Sequence, residues 1–260
     1  MKSIFYLILG IMFLASCLNK KKEEIQLGSL EKDALFEALF KPQQVIMDGE
    51  CLWEPAKSDS SFPKSDDGLC HTRLDTILMF NENGINKAVI VFGTYEFIAG
   101  IMADCHGCHP LVSIAIFEKG DNNIWQLEKF DKNFCYGQGY GNMPGLSITK
   151  LGENYFLKES SYDAGMGYSG GGANYWCLTS LVKSFTTTFE DNYMRVTERT
   201  ERHSSRDSIQ DISANGKTKI MLLKLESSFF NGKDQERVTS KQECILNDSC
   251  IFRPVKNKRL

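Results

Sequence analysis

The sequence predicts a mostly β protein, built as an antiparallel sandwich or barrel-like sheet with one short N-terminal helix. From residue 74 onward, short segments rich in β-branched and aromatic residues alternate with turn sequences at regular spacing. This pattern is typical of antiparallel sheets. Segments with helical periodicity are missing between the strands, which argues against a parallel α/β sheet.

The amphipathic helix is predicted over residues 30–40, ahead of the strands. Its apolar residues recur every three or four positions and would share one face; they are Leu30, Ala34, Leu35, Ala38 and Leu39. Ser29 can cap the first turn, because a serine hydroxyl accepts a hydrogen bond from an early backbone N–H. Pro42 ends the helix.

The strands are predicted in pairs around polar turns. Residues 81–84, Asn-Glu-Asn-Gly, favour a tight hairpin between the first two strands. The predicted strands span residues 74–80, 87–95, 111–118, 124–130, 146–151, 155–160, 173–183, 186–197 and 217–227. Three further segments are predicted as loops: the glycine- and tyrosine-rich stretches 135–145 and 163–172, and the polar, exposed stretch 198–217.

The first 16 residues have the character of an export signal that is removed from the mature chain. Lys2 supplies a positive start, and residues 4–14 form an apolar run. That run is too short to cross a bilayer, which needs about 20 residues. Small residues mark the cleavage point of such signals. Here Leu-Ala-Ser directly precedes Cys17, and these four residues resemble the lipobox of bacterial lipoproteins.

The resemblance implies cleavage before Cys17, a diacylglyceryl group on its sulfur and acylation of the new amino terminus. Two or more acyl chains anchor a protein stably, so we expect a cell-envelope protein whose membrane partner is reached through the lipid. Leu18 is not the aspartate that retains lipoproteins at the inner membrane of enteric bacteria. This favours the outer membrane, facing the periplasm or the exterior. Residues 17–28 then form a tether and residues 29–260 a single β-rich domain.

The charge balance bears on the class of partner. The chain has 30 basic and 33 acidic residues and a net charge of -3. Nucleic-acid binding relies on an excess of lysine and arginine that neutralises phosphates. No nucleic-acid partner is therefore expected.

Eight cysteines remain once Cys17 is assigned to the lipid, and export places them where disulfides persist. The candidates are Cys51, Cys70, Cys105, Cys108, Cys135, Cys177, Cys244 and Cys250. Eight cysteines allow many pairings, so connectivity does not follow from sequence. Local spacing favours Cys51–Cys70 and Cys244–Cys250, and Cys135–Cys177 is a third pair to consider.

Residues 105–109, Cys-His-Gly-Cys-His, contain the C-x-x-C-H pattern of c-type haem attachment. Cys105 and Cys108 would bond the porphyrin and His109 would ligate the iron. The segment resembles a c-type cytochrome in these five residues, which makes a monohaem electron carrier with haem c one alternative function. Strand-like flanks argue against it, and a sixth ligand would have to come from Met143, Met166 or His71.

Other chemistry is possible at the same residues. A disulfide between Cys105 and Cys108 would compete with haem in an oxidising compartment. A zinc site would need two ligands of this segment together with Cys70 and His71. A redox-active pair would need Cys105 at a helix N-terminus to lower its pKa, where a strand is predicted instead.

A second alternative function is an exported serine hydrolase. Residues 167–171 spell G-x-S-x-G, with Ser169 in the position of the nucleophile, and Asp191 and His203 follow in the order of α/β-hydrolases. That motif should lead into a helix, however, and the residues after Ser169 predict a strand. The G-x-G-x-x-G string at residues 165–170 lacks its helix for the same reason.

The hypothesis that accounts for most of these features is a lipid-anchored, disulfide-stabilised envelope protein with a binding or structural role. No catalytic residue and no cofactor are assigned under this hypothesis. The ligand or envelope partner is unidentified, and we expect it over the two glycine- and tyrosine-rich stretches. Tyr140 and Tyr168 are the candidate contacts, because a tyrosine offers an apolar ring and a polar hydroxyl together.

Overall fold

The computed structural model describes residues 24–42, 44–46, 49–56, 62–165, 168–196, 199–230 and 233–255. These residues form one helix, α1 (Lys32–Phe40), and strands that confirm the mostly β prediction. The strands are β1 (Gln26–Leu27), β2 (Gln44–Ile46), β3 (Glu50–Trp53), β4 (Cys70–Glu82), β5 (Ile85–Tyr95), β6 (Phe97–Ile98), β7 (Ile101–Met102), β8 (Leu111–Lys119), β9 (Trp125–Tyr136), β10 (Gly145–Leu151), β11 (Asn154–Gly165), β12 (Tyr168–Cys177), β13 (Val182–Val196), β14 (Arg199–Asp211), β15 (Lys219–Phe230), β16 (Lys233–Leu246) and β17 (Phe252–Pro254).

The strands form two large antiparallel sheets. The first has the order β1-β9-β8-β5-β4-β3-β2, and the second runs from β10 to β17 in chain order. The short hairpin β6–β7 stands apart from both. Most pairings join consecutive strands, as expected when turn sequences connect short antiparallel strands. Among the described residues, no helix combines the length and apolar character needed to cross a bilayer.

Helix α1 covers one face of the first sheet. The Phe40 ring lies 5.0 Å from that of Phe92 and 5.3 Å from that of Trp53, and all three side chains are buried. The helix begins two residues later than predicted, and Glu31 precedes it without a side-chain cap, so Ser29 is not the cap. It ends at Phe40, and the following residue, Lys41, has a left-handed backbone and donates its N–H to the Phe36 carbonyl.

The opposite face of the first sheet packs against the second sheet. Val89, Val91 and Ile114 on the first sheet contact a buried cluster that includes Leu157 and Leu178 from the second. β5 and β8 are buried on both faces because the helix covers one and the second sheet covers the other. Their continuous apolar runs therefore belong to a sandwich core.

Lys87 ties together strands of the first sheet. Its side chain is 14% exposed and its Nζ lies 3.1 Å from a carboxylate oxygen of each of Glu82, Glu118 and Glu128. Burial alone would lower the pKa of this lysine, but the hydrogen bonds that it donates to the three carboxylates outweigh burial and raise it.

The second sheet curls so that residues of its early and late strands share one buried cluster, and we call this region its closed end. The Phe252 ring on β17 lies 5.7 Å from that of Phe156 on β11, and the Cys177–Cys250 disulfide bridges the same region. Gly152 at the β10–β11 turn donates its N–H to the Asp211 carboxylate at 2.7 Å.

Two predicted loops are strands. Residues 163–172 belong largely to the β11–β12 hairpin, and residues 198–217 contain β14. The residues of β14 are mostly polar, so they lack the alternation of apolar residues on which strand prediction depends. Their backbone groups pair with β13 and β15 nonetheless.

Candidate functional site

The segment before β8 forms a tight disulfide loop, defined here as residues 105–110. Cys105 and Cys108 are bonded to each other with their Cα atoms 5.0 Å apart, and the Cys108 N–H donates to the Cys105 carbonyl at 2.9 Å. Cys105 is exposed, while Cys108 is buried. Of the alternatives that the sequence offered for Cys105 and Cys108, the structure contains the disulfide between them.

A second loop, residues 137–142, lies on the disulfide loop and is called the glycine loop. Tyr140 N–H donates to the Cys105 carbonyl at 2.8 Å, and Gly141 N–H donates to the Cys108 carbonyl at 2.9 Å. A Cβ at Gly139 would collide with the carbonyl oxygen of His106, so only glycine allows the two backbones to approach this closely. The disulfide thus supports a rigid two-loop wall.

The glycine loop is also tied to the second sheet. The Gln138 side-chain amide donates to the Ser160 carbonyl on β11 at 3.2 Å. Between the two loops and strands β11–β13 lies an open cavity of about 680 Å³, which we call the tyrosine groove. A second cavity of about 790 Å³ continues from it along β10–β14. The two cavities share Gln138, Ser161, Tyr162, Thr188 and Phe189. Small-molecule pockets usually measure about 300 to 1,000 Å³.

Aromatic rings line the tyrosine groove and have neighbours that hold them. Tyr140 is 54% exposed, with the His106 ring edge-on at 5.6 Å. Tyr162 is 56% exposed, with the Phe189 ring stacked on it at 5.9 Å. Two exposed tyrosines that share one cavity are candidate ligand contacts, because each offers an apolar ring face together with a polar hydroxyl. Because packing limits their motion, little ordering would be needed on binding.

The polar groups of the groove are also positioned by internal hydrogen bonds. The Asn142 side-chain amide donates to the Gly139 carbonyl at 2.9 Å, and His109 Nδ1 lies 3.1 Å from the Gly137 carbonyl oxygen. On the opposite side, the Thr188 hydroxyl donates to the Asp207 carboxylate at 3.1 Å. Glu190 completes this side with a carboxylate.

The predicted contact residues have different outcomes. Tyr140 lines the groove as predicted. Tyr168 begins β12, and its side chain lies outside the described residues. Tyr162, which the sequence offers as one of the tyrosines beside the glycine-rich stretches, also lines the groove. Sequence reasoning missed Phe189 and Glu190 as groove residues, because strand pairing rather than chain proximity brings them to the loops. The glycines in these strands were a sequence signal for the groove, because a glycine in a strand often marks a place where a ligand or another backbone comes close.

Haem attachment at Cys105, Cys108 and His109 receives no geometric support. The two sulfurs are bonded to each other, and the chain leads into β8 without the helical surroundings of small cytochromes. Among the suggested sixth ligands, His71 stacks on Phe97 at 4.0 Å and Met143 belongs to the core between the sheets. Met166 lies outside the described residues. The haem hypothesis remains a prediction that a visible spectrum and an intact mass test.

The zinc hypothesis is likewise not supported by the geometry. Among the described residues, no group of three or more histidine, cysteine, aspartate or glutamate side chains is arranged to hold a metal ion. His71 instead places Nδ1 3.9 Å from Glu50, which also pairs with Arg73.

Backbone register separates the residues of the suggested hydrolase. Ser169 lies opposite Asp191, while His203 lies opposite Asn192, one position further along β13. Successive residues of a strand face opposite sides of the sheet, so Ser169 and His203 lie on different faces. The chain also continues as strand after Ser169, where a hydrolase would begin a helix. The triad is not assembled.

Two disulfides are present among the described cysteines, Cys105–Cys108 and Cys177–Cys250. The predicted pairs Cys244–Cys250 and Cys135–Cys177 are wrong. The turn before β17 directs Cys250 across the closed end to β12, and Cys135 and Cys244 remain thiols.

The predicted pair Cys51–Cys70 is also wrong, because both residues are buried thiols on neighbouring strands. Cys51 lies opposite Thr72, so Cys70 is its diagonal neighbour. Diagonal positions are about 7–8 Å apart, beyond the usual reach of a disulfide.

Together these features define a disulfide-stabilised antiparallel β module with an open aromatic groove. In comparisons with known proteins, the chain matches no family model, no curated protein and no solved structure. Its function is therefore inferred from its own residues.

Proposed function

We propose that this protein is a binding module of the bacterial cell envelope, anchored by lipid on Cys17, whose ligand occupies the tyrosine groove. One observation supports the binding role above the others. Two exposed tyrosines, Tyr140 and Tyr162, face a cavity whose wall is held by a disulfide and by backbone hydrogen bonds. A site that exists before binding loses little entropy when the ligand arrives.

The position of β1 is compatible with this role. β1 pairs with residues Trp125 and Gln126, at the start of β9. The glycine loop follows the other end of β9, after Tyr136. At about 3.3 Å per residue, the two ends of that strand are roughly 36 Å apart. A lipid anchor upstream of β1 would therefore join the domain at the end of β9 that lies farther from the groove.

The anchor is tested by metabolic labelling with an alkyne-bearing palmitate in a bacterial host. We expect the wild-type chain to be labelled and to sediment with membranes, and Cys17→Ser to lose both properties. Cys135→Ser is the matched control, because it removes a different thiol. Recovery of full-length, unlabelled wild-type chain from the cytosol would refute the anchor.

The groove is tested by photo-crosslinking in intact envelopes. A benzophenone amino acid is introduced at position 140 or 162, and at position 136 as the control. Tyr136 is as exposed as Tyr162, at 56%, but does not line the groove. We expect a discrete adduct from positions 140 and 162 only. Equal adducts at all three positions, or none, would remove the groove as the binding site.

A further inference from the structure

The chemistry of the groove lining narrows the class of ligand, provided that the groove is the binding site proposed above. Its described lining residues are glycines, aromatics, histidines, amides, hydroxyls and one glutamate. They include no aliphatic side chain and no lysine or arginine. Phosphate recognition relies on arginine and lysine, and helical or extended peptides are usually anchored by apolar pockets.

The exposed rings provide flat apolar surfaces. Tyr140 projects from the glycine loop at a positive φ of 60°, and the hydrogen bond to Cys105 holds that backbone in place. Tyr162 lies across the groove on β11, supported from beneath by Phe189. Ring faces of this kind attract C–H groups by dispersion while the phenol hydroxyl remains available for hydrogen bonds.

Around the rings, the polar groups are hydrogen-bonding groups of modest charge. The amides of Gln138 and Asn142 each donate to a backbone carbonyl, which fixes the direction in which their oxygens point. Glu190 can accept two hydroxyl hydrogen bonds, since a carboxylate has two acceptor oxygens. Ligand hydroxyls that both donate and accept would match this set.

We propose that the tyrosine groove binds a carbohydrate chain through a neutral sugar unit. A pyranose ring has an apolar C–H face bordered by hydroxyls, so one face would stack on Tyr140 or Tyr162 while its hydroxyls bond the fixed amides and Glu190. The continuous cavity along β10–β14 offers space for further sugar units. The tyrosine groove itself supplies no cationic partner for an anionic sugar, whereas Lys158 and Arg206 line the continuing cavity.

The first test is calorimetric titration of the detergent-solubilised, full mature lipoprotein with cellohexaose, chitohexaose, maltohexaose and mannohexaose. We expect one of them to bind. Tyr140→Ala and Tyr162→Ala should each weaken that binding by roughly three- to tenfold, the loss of one aromatic stacking contact. Tyr140→Phe and Tyr162→Phe should stay within about twofold, because they keep the ring. Tyr136→Ala should bind like the wild type, and unchanged binding by both groove alanine variants would overturn the proposal.

The second test identifies the class of ligand without choosing it in advance. The adduct formed at position 140 in envelopes is purified and digested with protease, and the fragment that carries residue 140 is examined by mass spectrometry and by periodate followed by hydrazide labelling. A carbohydrate adduct gives a fragment that labels after periodate and whose added mass is made of sugar units. A fragment whose added mass is a peptide, and which periodate does not label, would overturn the carbohydrate proposal while leaving the binding module intact. Absence of any adduct would overturn both.

Discussion

The two disulfides should contribute unequally to stability, because they close loops of very different length. Cys177 and Cys250 are 73 residues apart, whereas Cys105 and Cys108 are three apart. In the chain-entropy model, a crosslink stabilises by restricting the unfolded chain, and the effect grows with the logarithm of loop length. The model assigns about 4 kcal/mol to the long loop and about 2 kcal/mol to the short one.

The perturbation is a pair of double variants, C177A/C250A and C105A/C108A. Alanine is chosen because a serine hydroxyl would be left in an apolar site next to Phe156 and Phe252. At roughly 2–4 °C per kcal/mol for a chain of this size, we expect Tm to fall by roughly 8–16 °C and roughly 4–8 °C, respectively.

Urea unfolding of the wild type and both double variants, monitored by circular dichroism without reductant, measures the free energies of unfolding. A wild-type sample in excess reductant should approach the sum of the two losses. The reasoning would be refuted if the short-loop variant lost as much stability as the long-loop variant. Equal losses would mean that local packing, and not chain entropy, determines what each bond contributes.

Three further predictions concern packing and charge. Gly171→Ala should lower the free energy of unfolding in urea by about 1–3 kcal/mol, because the new Cβ would collide with the Ser161 carbonyl. Gly107→Ala is the control and should leave stability unchanged, because there is open space around Gly107. Burial, with help from nearby negative charge, raises the pKa of Cys51 from 9.0 to about 12. The unfolded chain therefore releases this proton first, and stability should fall by about 1.4 kcal/mol per pH unit above about pH 9, less steeply in Cys51→Ala. At pH 7, Lys87→Met should lower the free energy of unfolding by about 2 kcal/mol, because three carboxylates are left without their cation. Calorimetry should show that part of this lost stability is recovered near pH 4.

Local patterns were sufficient to predict much of the first sheet. The turn at residues 81–84 and the apolar segments on either side correspond to the β4–β5 hairpin. Helix α1 was predicted from its 3.6-residue period, because a helix that covers a sheet must keep its apolar residues on one face. These features depend on neighbours in the chain, which a sequence pattern records directly.

The second sheet was harder to predict in two places, the β11–β12 hairpin and strand β14, which the sequence pattern gave as loops. Strand β14 carries few apolar residues, and its pairing depends on backbone hydrogen bonds that any residue except proline can make. The tyrosine groove was anticipated only through its tyrosines, Tyr140 and Tyr162. Phe189 and Glu190 were not, because they come from a strand about 50 residues further along the chain.

The sequence by itself determined that this chain folds as antiparallel β-structure with one N-terminal helix, since alternation, turn residues and helical period are local properties. Only the tertiary structure decided which cysteines pair and where a ligand could lie. The curl of the second sheet brings Cys177 to Cys250, and the two stacked loops place Tyr140 across from Tyr162. Both results depend on distances between segments far apart in sequence, and those distances follow from how the sheets pack.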